Sequence, residues 1–247
     1  MVRVGVLMSA LLLGARAMVG AQQAPAEPGP EEVLKKSLEA YSSAKSYEGT
    51  WSYTIDRGGA KQSATMTIRC KGPTKLYLRL AAKGKPQGGA GLDPIPEFVV
   101  VVDGATATFE NVGEKVYFSV PLPRNGRVTP IMFMPQMQTV ADVVRDADAV
   151  LDGKPVMVFR AQRGDGSTSR IELDPATYHI RRLVVEIPLG QTKAIATLTA
   201  DRETFDGPVS DKEFVWKAPR GAKSIPAPPG TSEMFGTPDA PTAGQAR

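Results

Sequence analysis

Apolar positions recur at helical spacing early in the chain and at every second residue through most of the rest. In "PEEVLKKSLEAYSSAKSY", Val33, Leu34, Leu38 and Tyr41 fall on one helical face. Glu31 and Glu32 sit in the first turn, where the helix dipole favours acids, and Pro30 suits a helix start. The period then changes to two. "YEGTWSYTI" puts Tyr47, Trp51, Tyr53 and Ile55 on one side, and "RGG" at 57–59 is a turn. "SATMTIRCK" aligns Ala64, Met66, Ile68 and Cys70, and "KLYLRLA" aligns Leu76, Leu78 and Leu80. Three alternating runs with short breaks predict an antiparallel meander with one apolar face. An error of one residue would invert that face.

A Gly/Pro-rich loop, "KGKPQGGAGLDPIP", spans 83–96. "EFVVVVDGATATFE" reads as strand, Asp103-Gly104 turn and strand, and "KVYFSVPLP" adds another strand. In "QTVADVVRDADAVLDG", Val140, Val143, Val144, Ala147 and Val150/Leu151 return to helical spacing, which predicts a second helix. Strands resume at "KPVMVFRAQ", and a Gly-Asp-Gly tip at 164–166 leads into "STSRIELD". Asp174-Pro175 turns the chain into "TYHIRRLVVEIP", and "TKAIATLTADRETF" and "EFVWKAPRGAK" close the pattern. Many strands with few helices predict one α+β domain on an antiparallel sheet.

The ends differ in kind. Residues 1–21 read as a cleaved signal peptide: Arg3 near the start, an apolar run from Val4 to Leu13, and small residues at Val19-Gly20-Ala21. Residues 22–30 are a Pro/Ala linker, 31–223 the domain, and 224–247 a Pro/Ala/Gly-rich tail expected to be disordered. A signal peptide implies a periplasmic or secreted protein. The net charge of +4 includes Arg3 and Arg16, so the mature chain carries +2, without a Lys/Arg run. That gives no electrostatic case for nucleic acid. Cys70 is the only cysteine, so no internal disulfide forms, and its place in "TMTIRCK" reads as a small core residue.

Enzymatic signatures are missing. His179 is the single histidine, so a histidine-built metal site is excluded, and no Gly-x-Ser-x-Gly elbow, phosphate loop or dinucleotide fingerprint occurs. Asp146 and Asp148 stand two apart and would not face each other on a helix. Arg163-Gly164-Asp165 lies on a predicted hairpin tip, where it serves the turn. Trp51 and Trp216 suit core or cavity lining. No catalytic residue, cofactor or metal is expected.

One stretch is out of character. "PIMFMPQM" (130–137) holds Met132, Met134 and Met137, half of the six methionines left when Met1, Met8 and Met18 are set aside from the nine. Methionine is flexible and polarizable, and it recurs on surfaces that meet varied apolar partners. Pro130 and Pro135 break regular structure here.

The order of elements resembles the outer-membrane lipoprotein carrier superfamily, LolA/LolB-like and RseB-like. The matching pieces are "LKKSLEAYSSAKSYEGTWSYTI", "TIRCKGPTKLYLRL", "FVVVVDGATATFENVGEKVYFSVPLP", "LDGKPVMVFRA", "IELDPATYHIRRLVV" and "KEFVWKAPRGAK", over about 31–223. The resemblance implies a curved antiparallel sheet forming an unclosed β-barrel covered by lid helices. It also implies binding of lipid or lipoprotein acyl chains, with no catalytic centre. Partners would be those chains and an envelope protein as donor or acceptor; contact with a membrane would be peripheral at most. Such carriers hold the lid with a cavity arginine; Arg69 and Arg79 lie in the right region, but neither matches a motif. The lid candidates are Met132, Phe133, Met134 and Met137, with Val143 and Val144 facing inward from the helix that follows. The sheet candidates are Trp51, Tyr53, Met66, Ile68, Leu76 and Leu78. The other reading is an RseB-like sensor or protein-interaction module that transports no lipid.

Overall fold

A computed structural model describes residues 28–87, 94–123, 126–132, 141–163, 165–190, 192–231 and 235. Helix α1 (Pro30–Ser43) comes first. A meander follows: β1 (Ser46–Arg57), β2 (Ala60–Lys71) and β3 (Lys75–Gln87). Then come β4 (Phe98–Asp103), β5 (Thr106–Asn111) and β6 (Val116–Pro121). Beyond the 126–132 segment lie β7 (Ala141–Arg145), β8 (Ala149–Leu151) and β9 (Lys154–Gln162). β10 (Thr168–Leu173), β11 (Ile180–Leu189), β12 (Thr192–Phe205) and the short β13 (Lys223–Ser224) complete the set.

The strands form a single sheet in the order β13-β6-β5-β4-β3-β2-β1-β12-β11-β10-β9-β7, with β8 pairing β9 off that path. Among the described residues only β13 on β6 pairs in parallel. β7 and β13 end the order, so the barrel does not close. Val120 of β6 and Phe159 of β9 stand far apart in strand order yet share one buried cluster. The sheet must therefore curve around a common core. Val33, Leu34 and Tyr41 of α1 enter that core, so the helix covers the inner face.

The alternation sets the fold strand by strand. β2 alternates without a fault: Ala60, Gln62, Ala64, Met66, Ile68 and Cys70 are buried, and the residues between them are not. Gly58 and Gly59 turn the chain between β1 and β2 at φ +58° and +86°, a conformation glycine adopts at little cost.

Two expectations change. The helix predicted from "QTVADVVRDADAVLDG" is replaced, over the described residues, by β7 and β8. A bulge explains the misleading spacing: Asp142 takes φ 50° and the register slips between Ala141 and Val144. β-branched valines suit a pleated sheet. Val143 packs on the core, but Val144 is 52% exposed and does not face inward. Among the described residues α1 is thus the one α-helix over the sheet. Ordered structure also continues past the expected boundary at 223. β13 pairs with β6, the Ile225 amide donates to the Tyr117 carbonyl at 2.9 Å, and Phe235 is only 3% exposed.

Candidate binding face

Register places the inner side chains in rows across the sheet. One row runs from Phe118 through Phe109, Val100, Leu78 and Ile68 to Gly49 and Glu203. Its neighbour on one side carries Leu76, Cys70, Tyr47 and Phe205; on the other it carries Leu80, Met66, Trp51 and Ala200. Trp51, Ile68, Leu76 and Leu78 have no exposed surface and Met66 is 5% exposed. Tyr53, opposite Leu198, packs half-buried against the same core. All six sheet candidates therefore lie on one continuous apolar face.

That face is covered. Beyond α1, the 126–132 segment brings Val128, Ile131 and Met132 onto it, tied by a 2.7 Å bond from the Val128 amide to the Pro73 carbonyl. Gln62, buried in β2, accepts from the Ile95 amide at 2.8 Å, which seats Ile95 against the same core. Of the lid candidates, Met132 is half-buried on the core, while Phe133, Met134 and Met137 lie outside the described residues.

A polar cluster marks one end of the face, and the sequence pattern missed it. The Tyr41 and Tyr47 hydroxyls both donate to Oε1 of Glu203, each at 2.8 Å. Tyr47 in turn accepts from Trp51 Nε1 at 2.9 Å, and Tyr41 accepts from the Ile180 amide at 3.0 Å. The Tyr47 ring crosses over Gly49, where an added Cβ would lie 2.1 Å from its Oη. Burial pushes the Glu203 carboxyl above the usual carboxylate range, against the opposing pull of the two hydroxyl bonds and Arg181. Burial likewise raises both tyrosines. His179 stacks on Phe205 with ring centroids 3.9 Å apart, and burial lowers its pKa, so it is a neutral packing partner at pH 7. A cleft of about 310 Å³ lies beside the cluster, between the end of α1 and the 126–132 segment, lined by Tyr41, Tyr47, Cys70, Pro73, Val128 and Pro130 among others.

The remaining candidates sit elsewhere. Arg69 follows the outer alternation, bonding Glu48 at 3.0 Å and Glu213 at 3.2 Å, and Arg79 bonds Glu97 at 2.6 Å. Neither is a cavity arginine. Asp146 holds Arg160, and Asp148 holds Arg145. Asp165 accepts from Ser167 within its own turn. Trp216 bonds Glu110 at 2.9 Å and lies against Tyr117. Among the described residues no group of three His, Cys, Asp or Glu side chains is placed to hold a metal, and no helix is long and apolar enough to cross a membrane.

No protein-family model and no curated protein matches the chain. Solved structures do. An uncharacterized conserved protein from Thermus thermophilus is similar with a TM-score of 0.46 and 11% identity, over 79% of this chain and 97% of that one. MucB, in the MucA/MucB complex of Pseudomonas aeruginosa, is similar with 0.45 and 16%, over 76% of this chain and 61% of that one. A LolA superfamily protein from Nitrosomonas europaea is similar with 0.37 and 10%, over 76% and 98%. Likenesses this distant say nothing of what the chain binds.

Proposed function

We propose that this chain is a periplasmic or secreted binding protein that holds an acyl chain of a lipid or lipoprotein on the inner face of its sheet. The observation that carries the reading is the apolar face itself. It runs unbroken from Phe118 to Ile68 across neighbouring strands, under separate covers rather than a second sheet. Each methylene moved out of water is worth about 0.8 kcal/mol, so a sixteen-carbon chain costs roughly 12 kcal/mol to leave exposed. A holder must offset most of that, and a continuous apolar face can do so. The sheet residues that would line it are Trp51, Tyr53, Met66, Ile68, Leu76 and Leu78. Met132 would close over the chain, with Phe133, Met134 and Met137 continuing the cover. Some part of the cover would have to lift or be displaced to admit the ligand.

The filled state of the face favours a second reading. Trp51, Ile68, Leu76 and Leu78 are completely shielded as the chain stands. A face permanently packed by its own covers would suit an RseB-like sensor or interaction module that meets a protein and transports no lipid.

Native mass spectrometry of residues 22–247, secreted and purified without detergent, separates the two. A discrete mass excess lost on organic extraction, and reduced when Met132, Met134 and Met137 are replaced by serine, is the expected outcome. A clean apo mass with no uptake of added fatty acid or lipopeptide would overturn the acyl reading in favour of the second.

A further inference from the structure

The end of the inner face under β4–β6 is closed by a residue from far along the chain. Phe235 is 3% exposed, and its ring centroid lies 6.0 Å from that of Phe109. Phe109 itself stacks on Phe118 at 4.9 Å, with an interplanar angle of 15°. Register places Phe109 opposite Val100, which faces Leu78, so Phe235 stands on the row proposed to carry the ligand. A cleft of about 280 Å³ opens at the same rings, lined by Phe98, Phe109, Phe118, Val116 and Ile225 among others.

The attachment of this ring is unlike that of the other covers. The chain leaves the sheet at Ile225, whose amide donates to Tyr117. From 226 to 231, among the described residues, the hydrogen bonds are local: the Thr231 amide and hydroxyl both reach the Pro228 carbonyl. No directional bond ties those residues to the sheet; an apolar ring on apolar rings does. An alkyl chain satisfies the same surface equally well, because burial of apolar area has no directionality.

We propose that Phe235 stands in for the end of the ligand's alkyl chain: the ring fills the ligand's apolar terminus site in the empty protein and is displaced when an acyl chain enters. The proposal rests on the acyl reading above. It makes Phe235 a competitor, so its removal strengthens binding even though an apolar side chain is lost.

The test titrates the full chain, Phe235→Ala and Phe235→Trp with a sixteen-carbon fatty acid carrying an environment-sensitive dye at its carboxyl end. Phe235→Ala should bind about tenfold tighter, equivalent to about 1.4 kcal/mol. Phe235→Trp should emit as a buried indole when empty and shift to the red in step with probe binding. Equal affinities with an unmoved tryptophan overturn the stand-in and leave the acyl reading intact. Weaker binding by Phe235→Ala also overturns it, because the ring would then be part of the ligand's wall. If neither the full chain nor Phe235→Ala binds the probe, the acyl reading fails and the stand-in falls with it.

Discussion

The two ends of the inner face are built by different physics. At the α1 end, Trp51, Tyr47, Glu203, Tyr41 and the Ile180 amide form one chain of directional bonds between 2.8 and 3.0 Å. At the β4–β6 end, Phe109 meets Phe118 and Phe235 ring to ring, and Phe98 packs on the same core, without a polar handle. Directional bonds specify one geometry and penalise every other, since a buried donor or acceptor left unmet costs more than the bond gains. Ring contacts tolerate exchange of one apolar occupant for another. The difference assigns roles within one continuous face: the polar end fixes α1 on the sheet, and the aromatic end is where a different apolar group fits.

The comparison breaks most sharply at Gly49. Gly49→Ala would place a Cβ 2.1 Å from the Tyr47 hydroxyl. The ring cannot move away without losing its bonds to Glu203 and Trp51. Urea denaturation should show a loss of about 3 kcal/mol, at the high end for overpacking. A loss under about 0.5 kcal/mol, the range of ordinary surface changes, would show that the polar end does not fix the fold. Tyr41→Phe is milder. It deprives Glu203 of one donor and leaves the Ile180 amide without its acceptor, which should cost about 2 kcal/mol. At the other end, Phe235→Ala should cost only about 1 kcal/mol. Core phenylalanines usually cost 3–5 kcal/mol or so, but ordering the segment that delivers this one offsets much of its burial. A loss near 4 kcal/mol would make Phe235 an ordinary core residue and remove the contrast between the ends.

Much of this face is legible in the sequence because strand period and burial coincide. Ala64, Met66, Ile68 and Cys70 alternate in the text and are all buried in the structure; Leu76, Leu78 and Leu80 do the same. The polar end is illegible because a bulge interrupts the count. Leu198 and Ala200 face inward, and continuing the alternation points Arg202 and Thr204 inward as well. The register shift opposite Thr50 and Trp51 turns Glu203 and Phe205 in instead. Gly49 in the middle of an alternating strand was the available signal, since glycine there marks a close approach. A bulge also disguised β7: Val143 and Val144 belong to a short strand with a slipped register, and Val150 to the separate strand β8. Phe235 lies in a stretch poor in large apolar residues, and composition alone places it in the solvated tail.

The cysteine offers a smaller effect. Cys70 lines the cleft beside the polar end, and burial pushes its thiol up to about 12. At pH 8 it should react with iodoacetamide far more slowly than a free thiol of pKa about 8.5. Acyl ligands should quicken the reaction if α1 and the 126–132 segment lift together. They should leave it unchanged if entry involves only the aromatic end, and that outcome would sharpen the contrast between the two ends.

The smallest effect is the dependence of stability on pH. Burial holds the Glu203 carboxyl above its unfolded value, so the folded state keeps this proton where the unfolded chain releases it. The stability it contributes is present below the unfolded value, near 4.3, and is lost as pH rises through the folded one. The sign is opposite for Asp146, Asp165, Glu172, Asp174 and Asp211, whose carboxyls are held below their usual range. Their contribution is lost as pH falls, so a single stability curve mixes the two. A difference curve separates them. Glu203→Gln keeps an acceptor oxygen for both tyrosines and cannot ionise. The stability of the parent minus that of Glu203→Gln should be level below pH 4 and decline above it, with the other carboxylates cancelling. A flat difference would mean that solvent reaches Glu203 freely. The polar end would then be as open to exchange as the aromatic one, and the directional bonds would no longer distinguish the two ends.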